Sequence, residues 1–297
     1  MSATEVSALV LPDGSVVDPT LSIIAAFEQP VTEHGEVIPS AAVPPPPAGL
    51  VAEERDRARE LTTQLIRAVR EHDANRPRSL QRRLGPSEVG TPCLRQLAYK
   101  AAQHPPVNHG GGDPWPAFVG TATHAALEEV FARREGWATE QRIVVDADLD
   151  LAGSMDLIRL TGGVTVIDHK VVGASTLSKA KAKGPAGYYR TQVNLYAHGL
   201  IASGVPVEWV AIAYWPRSGM LSGLHVWLER YDQTVVDTAL ARLDVVRRLN
   251  AALGPALFGQ LPVAEHYCDS CPFFRHGSTD PTVACPGADA VARGLAA

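Results

Sequence analysis

The sequence predicts an α/β fold in which helices flank a central mixed β-sheet. Three observations carry that expectation. The runs Leu151–Leu160 and Val164–Val171 are apolar and β-branched, and Thr161-Gly162-Gly163 joins them as a hairpin turn. Two more strand-like runs, Val207–Trp215 and Leu221–Leu228, flank a turn at Pro216–Gly219. Between and after these pairs lie segments with helical periodicity, so the order reads helix, three strands, helix, two strands, helix.

In chain order, residues 1–50 carry Pro44-Pro45-Pro46-Pro47 and only scattered apolar residues, so they read as a disordered, proline-rich arm. Residues 51–83 form an N-terminal helix and a basic loop. Leu61, Leu65 and Val69 make an apolar stripe expected to pack on the core, and Arg76–Arg83 is either solvated or a phosphate contact. The main domain is expected over residues 84–287, with a tail at 288–297. It begins with a helix through Tyr99 and continues with a second helix over about Ala117–Arg134. A strand over Gln141–Ala147 then precedes the hairpin. A loop is expected over Gly173–Gly187, then helices over Tyr188–Ala202 and Asp232–Leu253.

Composition narrows the function classes. A net charge of −5 gives no whole-chain sign of nucleic-acid binding, so any basic surface is local. No apolar run is long enough to span a membrane, and no charged segment precedes an apolar one at the start. The expectation is a cytoplasmic protein with no membrane partner.

Each hairpin strand carries one acidic residue in an otherwise apolar run, Asp156 and Asp168, and Lys170 follows Asp168 by two positions. Side chains at i and i+2 share a strand face. Two carboxylates and an ammonium can therefore converge, and a divalent cation between the carboxylates removes their repulsion. That set suits metal-assisted phosphodiester hydrolysis. The bland alternative is a cross-strand ion pair of Asp156 with Lys170. His124 and Glu128 share a helical face four residues apart, which makes His124 a third ligand candidate.

The four cysteines are Cys93, Cys268, Cys271 and Cys285. Cys268 and Cys271 form a C-x-x-C, a metal-site pattern in a chain without an export signal. A four-thiolate site would staple the segment near Cys93 to the C-terminal region. Zinc and an iron–sulfur cluster both accept four cysteines, and zinc completed by His266 or His276 is the local alternative.

The motifs Gly120–His124 (G-x-x-x-H), Gly153–Asp156 (G-x-x-D), Asp168–Lys170 (D-x-K) and Gln192–Tyr196 (Q-x-x-x-Y) occur in the order of the PD-(D/E)XK superfamily. Over about Leu84–Gly287 the chain resembles its RecB-like exonucleases, including the CRISPR-associated and phage types with a four-cysteine [4Fe–4S] cluster. The resemblance implies a restriction-endonuclease-like core and Mg²⁺ or Mn²⁺ held by His124, Asp156, Asp168 and the His169 backbone carbonyl. It also implies a water-positioning role for Lys170, with Gln192 and Tyr196 holding the DNA strand or Lys170. The span from Cys271 to Cys285 is longer than that family's usual gap. The implied activity is a DNA exonuclease of recombination, replication or repair, of phage or mobile-element origin. It would act on single strands or DNA ends beside a helicase or recombination partner. A DNA endonuclease is one alternative, and a DNA-binding or spacer-handling scaffold is another. Finally, four of the five lysines fall between Lys170 and Lys183, and Lys179, Lys181 and Lys183 are expected to grip the phosphate backbone.

Overall fold

The structure is a computed structural model. It describes residues 48–74, 83–108, 113–265 and 267–292, together with the short strands at 9–10 and 16–17. Most of the expected N-terminal arm, and the basic loop before Arg83, lie outside the described residues. The chain divides into two units, Met1–Leu61 and Thr62–Ala297. In the first, β1 (Leu9–Val10) pairs antiparallel with β2 (Val16–Val17). Helix α1 (Ala48–Ala74) runs across the division, and its charged residues pair along the helix, as in Arg57 with Glu53 at 2.9 Å. Its apolar stripe differs from expectation: Leu61 and Leu65 are exposed, and Val69 is half-buried.

The second unit opens with α2 (Pro86–Val89), α3 (Leu94–Ala101) and α4 (Trp115–Ala132). Strands β3 (Trp137–Asp146), β4 (Leu151–Arg159) and β5 (Val164–Val172) then form an antiparallel meander. The β4–β5 turn needs left-handed backbone at Gly162 and Gly163, with φ of 69° and 89°, which glycine adopts without steric cost.

Two helices follow, α5 (Ala174–Lys183) and α6 (Gly187–Ala202), and they carry the chain to β6 (Val207–Pro216), which lies parallel to β5. Strand β7 (His225–Arg230) pairs antiparallel with β6, completing a five-stranded mixed sheet in the order β3-β4-β5-β6-β7. Helix α7 (Gln233–Leu253), the short α8 (Leu257–Gln260) and α9 (Ala288–Ala292) complete the unit. The Asp232 carboxylate caps α7 by accepting from the Thr234 N–H.

Two segments depart from the sequence expectation. The lysine-bearing segment is the helix α5, not a loop. Ala, Leu and Lys are strong helix formers, and the left-handed Gly184 (φ 75°) ends the helix. Leu221–Gly223 is a short 3₁₀ turn, so β7 starts only at His225.

Helix α4 packs on β3, β4 and β5, and α6 packs on β3, β5 and β6. The approach of α6 to β3 is close because residue 199 has no side chain. A Cβ there would lie 2.3 Å from Ile143 Cγ2 and 2.7 Å from the Val144 carbonyl oxygen. Val166, Met155, Ile212, Val193 and Leu195 fill the space between sheet and helices, and Tyr99, Phe258 and Leu243 extend that core beneath α7.

Candidate active site and cysteine cavity

Strand β5 displays consecutive residues to opposite faces of the sheet. Asp168 and Lys170 face α6, and His169 faces α4. The Lys170 ammonium lies 2.6 Å from Asp168 Oδ2 and donates to Gln192 Oε1 at 3.0 Å. Gln192 therefore meets Lys170, one of its two expected roles. The cross-strand alternative does not hold, because the partner of Lys170 is its own-strand neighbour Asp168 and not Asp156. The Asp168 contact is a poorly aligned one: Oδ2 is buried and has no hydrogen bond of good geometry. Asp168 is 2 % exposed. Burial pushes its carboxyl up to about 6, with the Asp156 charge adding and Lys170 opposing.

Asp156, on β4, accepts from the His169 backbone N–H at 2.6 Å and lies 3.3 Å from His124 Nδ1. Burial would raise its carboxyl, but His124, the His169 N–H and Lys170 outweigh burial and hold it below the ordinary value. Burial would lower His124, but the Asp156 hydrogen bond and the two carboxylate charges prevail, so its pKa is raised.

His169 has a single tautomer. The Trp215 indole N–H donates to its Nδ1 at 3.2 Å, so Nδ1 is the acceptor and the ring proton sits on Nε2. Burial pushes its pKa down to about 4. His124, Glu128, Glu140, Asp156 and His169 line a shallow recess on the α4 side of the sheet. Glu140 and Trp215 had no sequence signal. Their place depends on a left-handed Glu140 (φ 45°) within β3 and on the end of β6, neither of which has a spacing rule.

Tyr196 is brought near the site but not as a surface for DNA. It is 5 % exposed, and its Cε1 would lie 3.2 Å from a Cβ at Gly153. Its ring closes the space between α6 and β4. Lys179, Lys181 and Lys183 are exposed on α5. At 100° per residue Lys179 and Lys183 share a face, and Lys181 lies roughly opposite.

Cys93, Cys268, Cys271 and Cys285 line one small pocket together with Gln96, Tyr99 and Phe274. All four are free thiols. His276 is exposed and is not among the lining residues, and His266 lies outside the described residues. The Thr91 hydroxyl donates to Gln96 Oε1 at 2.5 Å, which turns the Gln96 amide N–H toward Cys271 Sγ at 3.6 Å. Arg95 is 2 % exposed; its Nε and Nη2 donate to the Leu261 carbonyl, and Nη2 also to that of Gly259. Its Nη1 has no hydrogen-bond partner among the described residues, and the guanidinium lowers the Cys285 thiol against a larger burial effect. Burial, with the neighbouring cysteines, pushes the Cys271 thiol up to about 11.

Among the described residues, no group of three or more His, Cys, Asp and Glu is arranged to hold a metal ion. In the carboxylate site the reason is visible: His124 is drawn onto Asp156, and Lys170 onto Asp168.

A sequence profile of the PD-(D/E)XK nuclease superfamily matches residues 23–275. The chain belongs to that superfamily. The expected D-x-K, Asp168–Lys170, lies on β5, and Asp156 lies on the neighbouring β4. Among solved structures, the chain is similar to SSO0001 at 14 % identity and a TM-score of 0.41, over 71 % of this chain and 93 % of that one. It is also similar to the alkaline exonuclease LHK-Exo of Laribacter hongkongensis. The match is at 15 % identity and a TM-score of 0.40, covering 59 % of this chain and 95 % of that one. LHK-Exo in complex with dAMP matches at 14 % identity and a TM-score of 0.44, over 58 % of this chain and 89 % of that one. No curated protein sequence matches the chain. No helix among the described residues is long and apolar enough to cross a membrane.

Proposed function

We propose that this chain is a Mg²⁺- or Mn²⁺-dependent deoxyribonuclease that removes nucleotides from DNA ends. The observation that carries the proposal is Asp168. A buried carboxylate oxygen without a well-aligned hydrogen bond, beside a second carboxylate and an imidazole, suits a cation. Asp156, Asp168, His124 and the His169 carbonyl oxygen would hold it. When bound, such a cation supplies Lewis-acid polarisation of the phosphoryl oxygen and lowers the pKa of a bound water.

The chain's own residues do the rest. Gln192 anchors the Lys170 ammonium, whose charge faces the attacked phosphate and stabilises the negative charge that develops on it. The same ammonium can donate to the attacking water and orient it. The His169 N–H and His124 keep Asp156 ionised. On α5, Lys179 and Lys183 neutralise backbone phosphates without reading sequence, as does Lys181 from the opposite face of the helix. Tyr196 keeps α6 in register with β4, so that Gln192 reaches Lys170. A role in recombination or repair, beside an unwinding partner, fits an enzyme in which no G-x-x-x-x-G-K-[ST] phosphate loop occurs.

We infer that the cysteine pocket takes a [4Fe–4S] cluster. An unpartnered guanidinium nitrogen and a clamped amide N–H, beside four thiols, stabilise sulfur that carries negative charge. Zinc held by the same four thiolates is the alternative. Cys93, Cys268, Cys271 and Cys285 would hold the cluster, which supplies a covalent staple when bound.

The test is cleavage of end-labelled linear DNA and of closed circles, with Mg²⁺ or Mn²⁺ and with chelator. Metal-dependent digestion of linear DNA with circles left intact is expected. Cutting of circles would make the enzyme an endonuclease, and binding without cutting would make it a scaffold.

A further inference from the structure

The buried Tyr196 leaves open what grips the bases of a strand entering this site. A run of tyrosines absent from any motif leads from the reacting groups to solvent. The Lys170 ammonium lies over the Tyr189 ring at 4.7 Å from its centroid. The Tyr189 and Tyr188 rings meet edge to face, with centroids 4.3 Å apart. The Tyr188 hydroxyl has those of Tyr189 and Tyr267 as its hydrogen-bonding neighbours. Tyr188 is half-buried at the start of α6, and Tyr267 is 70 % exposed. Tyr267 also sits in left-handed backbone, φ 51° and ψ 47°, directly before the turn at Cys268–Ser270. The cysteine segment thus places a largely exposed aromatic ring next to a pair of rings that begins at the Lys170 ammonium.

We propose that Tyr188 and Tyr267 form a stacking platform for the bases of a single DNA strand feeding the Lys170 site. The proposal rests on the nuclease reading above. Every base has a π face, so aromatic stacking gives purchase on any sequence. In a chain of net charge −5, phosphate contacts come from few cations, which leaves room for a term that does not depend on charge. Tyr188 and Tyr267 act as positioning residues here, since neither reaches the reacting atoms.

The bland account is a clip that ties α6 to the cysteine segment. Base dependence separates the two, because a clip is indifferent to whether the strand carries bases. Affinity is measured in chelator, without turnover, for a single-stranded oligonucleotide and for one of equal length with consecutive abasic sites. Wild-type protein should prefer the base-bearing strand by about tenfold or more, each stacked base being worth roughly 1–3 kcal/mol. Tyr267→Ala should lose most of that preference, weakening only the base-bearing strand, and Tyr267→Phe should keep it. Equal affinity of wild-type protein for both strands overturns the proposal, even if the variants fail to fold. Equal losses on both strands in Tyr267→Ala overturn it too. Metal-dependent cleavage by the same wild-type preparation keeps the nuclease reading separate. A protein that cuts but ignores bases lacks the platform, and one that prefers bases but never cuts is not the nuclease.

Discussion

At the residue scale, the proposed chemistry concentrates in Asp156, Asp168 and Lys170. Replacing Asp168 with Ala should lower cleavage at least about 10²-fold while DNA binding persists, as single-turnover assays beside a binding curve will read. His169 makes a second prediction. Its folded pKa is pushed below the unfolded value, so the unfolded chain binds the extra proton first. The cost to stability is absent near neutral pH. It grows as pH falls below about 6.5 and levels off near 4, reaching on the order of 3 kcal/mol. Asp168, raised to about 6, has the opposite slope over part of that range. The informative quantity is therefore the difference in denaturation free energy between wild type and His169→Gln, which should shrink from pH 7 to pH 4. A flat difference would mean that the ring is not held neutral by burial.

At the element scale, the hairpin, α6 and α7 were legible because Gly-Gly turns and periodic apolar faces are local signals. Helix α5 was not, because Gly184, Pro185 and Gly187 masked a ten-residue run of good helix formers. Its helical geometry changes what its lysines can do. Lys179 and Lys183 share a face, so the pair Lys179→Ala/Lys183→Ala should flatten log K against log[salt] by about 1.4–1.8, at 0.7–0.9 per phosphate contact. Lys181→Ala should change the slope less than either. The contact of α6 with β3 offers a test of packing. Gly199→Ala forces a methyl to within 2.3 Å of Ile143 and should cost about 1–3 kcal/mol in urea denaturation, with activity falling as Gln192 shifts.

At the scale of the whole molecule, sequence motifs pointed to the superfamily and to Asp168 with Lys170, since i, i+2 spacing on a strand needs no tertiary knowledge. They did not reveal Trp215, Glu140 or the tyrosine run, whose neighbours come from elements far apart in sequence. The four cysteines were legible in another way: C-x-x-C is a local signal, Cys93 and Cys285 were added to it by count and by the resemblance, and all four line one pocket. If they bind one centre, each Cys→Ser variant should lose iron and sulfide together and melt earlier, because the link between residues 93 and 285 closes most of the domain. The central claim is that the Lys170 ammonium, set by Gln192 beside Asp168, performs chemistry rather than supporting the fold. Single-turnover cleavage of an end-labelled strand by Lys170→Ala, in saturating Mn²⁺ and at saturating DNA, tests it most directly. The account predicts a folded protein that binds DNA like wild type and leaves the strand uncut. Cleavage at the wild-type rate would contradict it.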